Sequence, residues 1–199
     1  MSYNTDQLYK TQLHIYTEAV PNPNSLKFVF NAMLMNPDAQ GKDYPCAETA
    51  EDSPLAQEIF KFEFVERVFI AKNFITISKN NLADWHEIQE IMRHFLTNYI
   101  EEGSKVFANT AEEEAIIAND SPAVRQIKEI LEEYIRPAVE GDGGAINFHS
   151  FDTEAGVLKV QLQGSCSGCP SSSITLKAGI ENLFKRMMPQ VKEVVAEGV

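Results

Sequence analysis

Residues 164–173 read Gly-Ser-Cys-Ser-Gly-Cys-Pro-Ser-Ser-Ser, between an alternating apolar run and a run with helical spacing. That placement fixes a local shape. A strand leads in, a glycine-rich turn follows, and a helix starts at about Ser171. Cys166 and Cys169 thus sit with two residues between them at a helix N-terminus. There the unsatisfied N–H groups and the helix dipole favour thiolate over thiol. Gly164 and Gly168 let backbone approach a ligand closely, and Pro170 suits the first helical turn. Ser165, Ser167 and Ser171 to Ser173 supply small hydroxyls that donate to sulfur or cap the helix.

Upstream, residues 12–20 and 26–30 alternate apolar and polar positions around Pro21-Asn22-Pro23-Asn24-Ser25, the pattern of two strands and a turn. Residues 36–52 are rich in Asp, Asn, Gly and Pro and read as an exposed loop. Ser53-Pro54 reads as a cap and first helical residue, with Leu55, Ile59 and Phe60 as the inner face. Val65 to Ala71 and Phe74 to Ser78 form a hairpin around Lys72-Asn73. Trp85, Ile88, Ile91, Met92, Phe95 and Leu96 give a helix over 84–99 one apolar face. Residues 104–120, with the acidic run Glu112 to Glu114, read as a linker with some helical character. A second unit opens at Ser121-Pro122 with a helix lined by Val124, Ile127, Ile130, Leu131 and Ile135. Gly141-Asp142-Gly143-Gly144 ends it. Ala145 to Phe151 pairs with Val157 to Leu162, the helix after the cysteines runs to about Met188, and Val191 to Ala196 makes a last strand. The fold class expected is α+β: two small mixed domains, the second in α-β-β-α-β order. The boundaries are 11–103, a linker at 104–120, and 121–199.

A net charge of −12 argues against nucleic acid and anionic membrane surfaces as partners. No apolar run reaches the roughly 18 residues of a membrane span. Three cysteines do not make a disulfide framework. The start, Met-Ser-Tyr-Asn-Thr-Asp, shows neither a secretory leader nor an Arg-rich transit segment. These features lead to an expectation of a cytoplasmic protein.

A Cys-x-x-Cys pair serves dithiol redox chemistry, zinc, or an iron–sulfur cluster. A tetrahedral metal or a cubane takes about four protein ligands, and this pair supplies two. Cys46 lies far away in sequence, and His14, His86, His94 and His149 show no ligand spacing with the pair. Two chains would together supply four thiolates, so a metal or cluster here implies a site shared across a two-fold dimer. The remaining readings are a dithiol oxidoreductase and a zinc-stabilised interaction module. No Ser-His-Asp arrangement, phosphate loop or catalytic carboxylate pair emerges, so no enzymatic activity is expected.

Gly164 to Pro170, Ser172, Thr175-Leu176, Gly179-Ile180-Glu181 and Leu183 closely resemble the C-terminal domain of NifU-like (Nfu-type) iron–sulfur cluster scaffold and carrier proteins. Ile135-Arg136-Pro137 and Asp142-Gly143-Gly144 match that domain's other signature. Thr17-Glu18, Pro21 to Phe28, Ser53 to Ala56 and Phe74-Ile75-Thr76 look like the N-terminal domain of some members. The resemblance implies a protein that assembles or relays a [4Fe–4S] cluster, alternatively [2Fe–2S], with Cys166 and Cys169 as ligands and two chains bridging it. It also implies apo iron–sulfur client proteins and upstream assembly machinery as partners.

Plainer roles stand beside these. Asp142-Gly143-Gly144 is read first as a tight turn and second as support for the cysteine loop. Arg136 is read as a helix-dipole contact and Cys46 as an exposed free thiol. Pro21 to Ser25 reads as a shape-setting turn or as a recognition loop for clients. His149 is read as a strand residue, Trp85 and Phe95 as core, and Met187 and Met188 as packing more than as a docking patch.

Overall fold

Two β-sheets, one of five strands and one of three, carry the fold. The computed structural model describes residues 12–36, 39–108, 121–166 and 170–198. The first sheet is antiparallel in the order β1-β2-β5-β4-β3, from β1 (Ile15–Ala19), β2 (Ser25–Phe30), β3 (Lys42–Tyr44), β4 (Val65–Ile70) and β5 (Phe74–Lys79). One face takes α1 (Pro54–Ile59) and α2 (Trp85–Glu101). Phe28, Phe30, Val68, Ile70, Ile75 and Ile77 on the strands meet Leu55, Ile59, Met92 and Leu96 on the helices there. Each fully buried side chain of this size contributes about 1.5–3 kcal/mol.

Strand residues of the other parity form a second apolar patch: Val29, Phe69, Ala71 and Phe74, joined by Ala145 from the C-terminal half. Every residue of β2 is therefore buried, including Lys27. A strand covered on both faces shows no clean alternation.

The second sheet is β6-β7-β8, from β6 (Gly144–Asp152), β7 (Val157–Gly164) and β8 (Glu193–Gly198). β6 and β7 form the expected antiparallel hairpin, while β8 runs parallel to β7. The connection from β7 to β8 is α5 (Pro170–Met187), as a parallel pair requires a crossover. The α5 residues Ile180 and Phe184 pack on Leu158, Val160 and Leu162 of β7 and on Ile127, Leu131 and Ile135. The α+β expectation, with helices on two small sheets, matches this architecture.

Several local expectations change. The stretch 36–52 is not only loop. Lys42–Tyr44 pairs as an edge strand with β4, and Ala47–Thr49 makes a 3₁₀ turn. Ile91 is half exposed, because the buried row on α2 is Ile88, Met92 and Leu96 at four-residue steps. The first linker residues are packed: Val106 and Phe107 lie against the first core, and the Ala108 N–H donates to Asp52 O at 2.8 Å. Residues 109–120, including the acidic run, lie outside the described residues. The helix opening the second half is α3 (Pro122–Ile130), a π turn (Leu131–Ile135) and α4 (Arg136–Gly141). Pro137 has no N–H and crowds the carbonyl four residues back, and a wider turn relieves that clash. Arg136 thus begins a helix rather than ending one, and pairs with Glu132. Trp85 and Phe95 pack against the first core, Trp85 edge-on to Phe28 with centroids 6.3 Å apart. Met188 is core and Met187 partly exposed.

Ser53 ties two segments together. Its Oγ accepts from Ala56 N–H at 3.1 Å, capping α1, and donates to Val106 O at 2.7 Å, with the residue fully buried. Ser53→Ala should lower stability by about 1–3 kcal/mol, read from the midpoint of chemical denaturation.

Candidate functional site

β7 carries Leu158, Val160 and Leu162 inward at every second position and so delivers Gly164, Ser165 and Cys166 to the edge of the second core. Gly164 has φ +66 and turns the chain at the strand end. An added Cβ would stand 2.8 Å from Gly143 O and 3.0 Å from Phe69 Cγ, so the position demands glycine twice over. The next two residues are held by the 142–144 turn. Ser165 N–H donates to Gly143 O at 3.3 Å, and Ser165 Oγ donates to Asp142 O.

Cys166 is 4% exposed and belongs to the second core. Its sulfur lies against Gly144, where a Cβ would come within 2.8 Å of Sγ and 2.5 Å of Gln163 O. The glycine run is therefore a seat for the cysteine strand end as well as a turn. That corrects the preference for a plain turn, which the pattern Asp-Gly-Gly alone suggested. Cys169, with Ser167 and Gly168, lies outside the described residues; α5 starts directly after it at Pro170.

The N-terminal sheet reaches the same place from the other side. Asn22 Nδ2 donates to Ser165 O at 3.3 Å, and Gly164 N–H donates to Asp43 Oδ2 at 3.1 Å. Arg67 forks onto Asp43 through Nε at 2.9 Å and Nη2 at 2.7 Å. Lys27 Nζ donates to Glu140 O at 2.9 Å and pairs with Glu18 at 3.0 Å. The turn 21–25 thus faces the chain's own cysteine strand end through Asn22. Asp43 and Arg67 were not visible as site residues in the sequence. Asp43 sits in a Gly-, Pro- and Asp-rich stretch, and one Arg inside a strand pattern carries no signal.

Other candidates stand apart. Cys46 is exposed at the start of the 3₁₀ turn. Glu48 beside it has its carboxyl held below the usual range by its own backbone N–H and then by the Cys46 thiol. His14, His86, His94 and His149 are all exposed. His149 occupies the bulge between Phe148 and Ser150, with Nδ1 3.2 Å from Ser150 Oγ. Among the described residues no three His, Cys, Asp or Glu side chains form a metal-sized group, and no helix is long and apolar enough to cross a membrane.

Comparison with known proteins divides the chain in two. Residues 15–103 match the family described as "Scaffold protein Nfu/NifU N terminal", and residues 127–195 match "NifU-like domain". "NifU-like protein 5, mitochondrial" of Arabidopsis thaliana is 40% identical over 189 residues, covering 93% of this chain and 68% of that protein. "NFU1 iron-sulfur cluster scaffold homolog, mitochondrial" of Drosophila sechellia is 41% identical over 192 residues, covering 93% and 65%. The chain spans about two thirds of the length of these curated relatives. The solution NMR structure of a NifU-like protein from Saccharomyces cerevisiae is similar at 27% identity over 54% of this chain and 96% of that one, with a TM-score of 0.45. These relatives' mitochondrial names overturn the expectation of a cytoplasmic location. A low cysteine count argues against a disulfide framework, and that property does not distinguish the cytosol from other compartments.

The seat makes a direct prediction. Gly144→Ala places a methyl against Gln163 O and Cys166 Sγ, neither of which is the far end of a flexible side chain. The variant should lose about 1–3 kcal/mol of stability. Alkylation of Cys166 should become faster, followed by mass spectrometry of the thiol-labelled chain.

Proposed function

This chain belongs to the NifU-like (Nfu-type) family of scaffold proteins, and on that premise we propose that it holds an iron–sulfur cluster as cargo and passes it to apo-proteins. The single observation that carries this reading is the built position of Cys166. A strand end and a seat of two glycines converge on Cys166, the first cysteine of the Cys-x-x-Cys pair, whose sequence runs directly into α5. The cargo is a [4Fe–4S] cluster, with [2Fe–2S] as the alternative form.

Cys166 and Cys169 are the ligands. Each chain offers two sulfurs, a cubane takes four, and a second copy completes the set across a two-fold axis. Both thiols must be deprotonated to bind iron, and the start of α5 beside them favours the anion. Two ligands per chain leave the cluster half-anchored on each side. Client thiolates can then replace Cys166 and Cys169 at iron one for one, without any catalytic residue. The role is therefore that of a carrier and not of an enzyme. We assign residues 121–199 as the cluster-binding domain, 11–103 as the domain that shapes recognition of clients or donor machinery, and 104–120 as the connection.

Anaerobic reconstitution with iron and sulfide tests this. About two irons and two sulfides per chain, on a dimer by size-exclusion chromatography, are expected for a shared cubane. About one of each would indicate the [2Fe–2S] form. Cys166→Ser and Cys169→Ser should each abolish the cluster. Stoichiometric zinc without sulfide would replace this reading with a zinc-stabilised module, and a metal-free monomer that reduces disulfides with a dithiol oxidoreductase.

A further inference from the structure

We propose that Asp43 of the N-terminal sheet is a positioning residue for the end of β7 that carries Cys166, so that a side chain from the other half of the chain sets where that sulfur stands. The inference deepens the scaffold reading above and rests on it for its cluster arm only.

The geometry is that of a clasp on two peptide groups, one on each side of the Gly164–Ser165 link. Gly164 N–H is the last donor of β7 before the cysteines, and it points at Asp43 Oδ2. That carboxylate is 1% exposed, so it does not drift as a surface side chain does. Its two oxygens are fixed by the Arg67 fork, a bidentate pair with little freedom to rotate. The Asp43 backbone is fixed in turn, because β3 pairs with β4 in a register that sets Asp43 opposite Phe69. Phe69 packs onto Gly164 itself. One residue further, Ser165 O receives Asn22 Nδ2. The strand end two residues before Cys166 is thus gripped on its N–H by Asp43 and on the following carbonyl by Asn22. The 142–144 turn holds the same residues from the opposite side.

A grip on these two peptide groups sets where the Cys166 backbone, and with it Sγ, stands. Gly164 at φ +66 is the pivot of the turn, and a free glycine visits many other conformations. Holding its N–H removes that freedom. The proposed cargo is then met by a sulfur already in place, and its escape requires this hydrogen bond to yield. Asp43 touches neither sulfur nor iron in this account and acts through the backbone.

The test uses the full-length protein with Asp43→Ala and Asp43→Asn, since asparagine keeps an oxygen acceptor for Gly164 N–H. In the metal-free state, amide hydrogen exchange of the segment 164–166 and alkylation of Cys166 should both accelerate about tenfold in the alanine variant. The asparagine variant should restore most of the protection. After reconstitution the alanine variant should still hold a full complement of iron and sulfide. It should surrender them to a ferrous chelator several-fold faster than wild type, with asparagine again intermediate. Asn22→Ala should move the same readouts in the same direction by less, and it stands in if Asp43→Ala does not fold. Unchanged exchange and unchanged chelation would overturn the proposal. So would an asparagine variant no better than alanine, because charge and not the acceptor would then matter. If wild type takes up no cluster, the scaffold reading fails while the exchange arm still decides the role of Asp43.

Discussion

The approach of the Cys166 sulfur to Gly144, so close that a Cβ there would stand 2.8 Å from Sγ, is the constraint around which the C-terminal half is arranged. It brings the end of β7 and the start of β6 close enough that no side chain fits between them, and Gly144 pairs directly with Gly164 across the hairpin. Two facing glycines allow that approach, at the cost of backbone freedom in the unfolded chain. The surrounding core offsets the cost. Leu158, Val160 and Leu162 on β7 are buried against α5 and α3, and Cys166 is counted in the same apolar cluster. A small sulfur at this spot packs as a hydrophobe. The position of Cys166 is inherited from core packing.

The N-terminal half contributes by burying its sheet on both faces. Residues of one parity hold α1 and α2, and residues of the other parity, Val29, Phe69, Ala71 and Phe74, meet Ala145. Phe69 is the point where the two functions join, since it lies in this patch and against Gly164. Lys27 shows what such burial demands of a charged residue. Its ammonium is satisfied by Glu140 O and Glu18 and sits 4.6 Å above the Phe74 ring. Loss of these contacts would leave a row of apolar strand residues in water.

What the sequence made legible was whatever is written in short, local patterns. The helix starts at Ser53-Pro54 and Ser121-Pro122 were readable because a cap and its helix are neighbours, and both serine side chains do cap. The Cys-x-x-Cys pair and the Asp-Gly-Gly turn were readable for the same reason. Their mutual contact was not. Nor was β3, whose three residues Lys-Asp-Tyr gain strand character only by pairing with β4. Asp43 takes its place from Gly164, 121 residues away, and Lys27 from Glu140, 113 residues away. No window of local pattern contains both partners. Ile91 erred in the other sense: it fits helical spacing, but the face is centred on the 88, 92, 96 row and leaves it outside.

The presence of a buried carboxylate beside a proposed anionic cargo calls for a physical reason. Thiolate-ligated iron–sulfur clusters carry net negative charge, and an unpaired carboxylate in the neighbourhood of one would repel it. Burial alone would also cost Asp43 several kcal/mol. The Arg67 fork meets both difficulties, since a bidentate pair presents the Gly164 N–H with an acceptor while its net charge is near zero. Lysine in place of Arg67 would balance the charge but leave the two oxygens free to turn. A planar fork is what allows an acidic side chain to be used for orientation at a site that otherwise favours anions. The pair therefore serves the end of β7 as an acceptor for Gly164 N–H as well as the sheet that carries it.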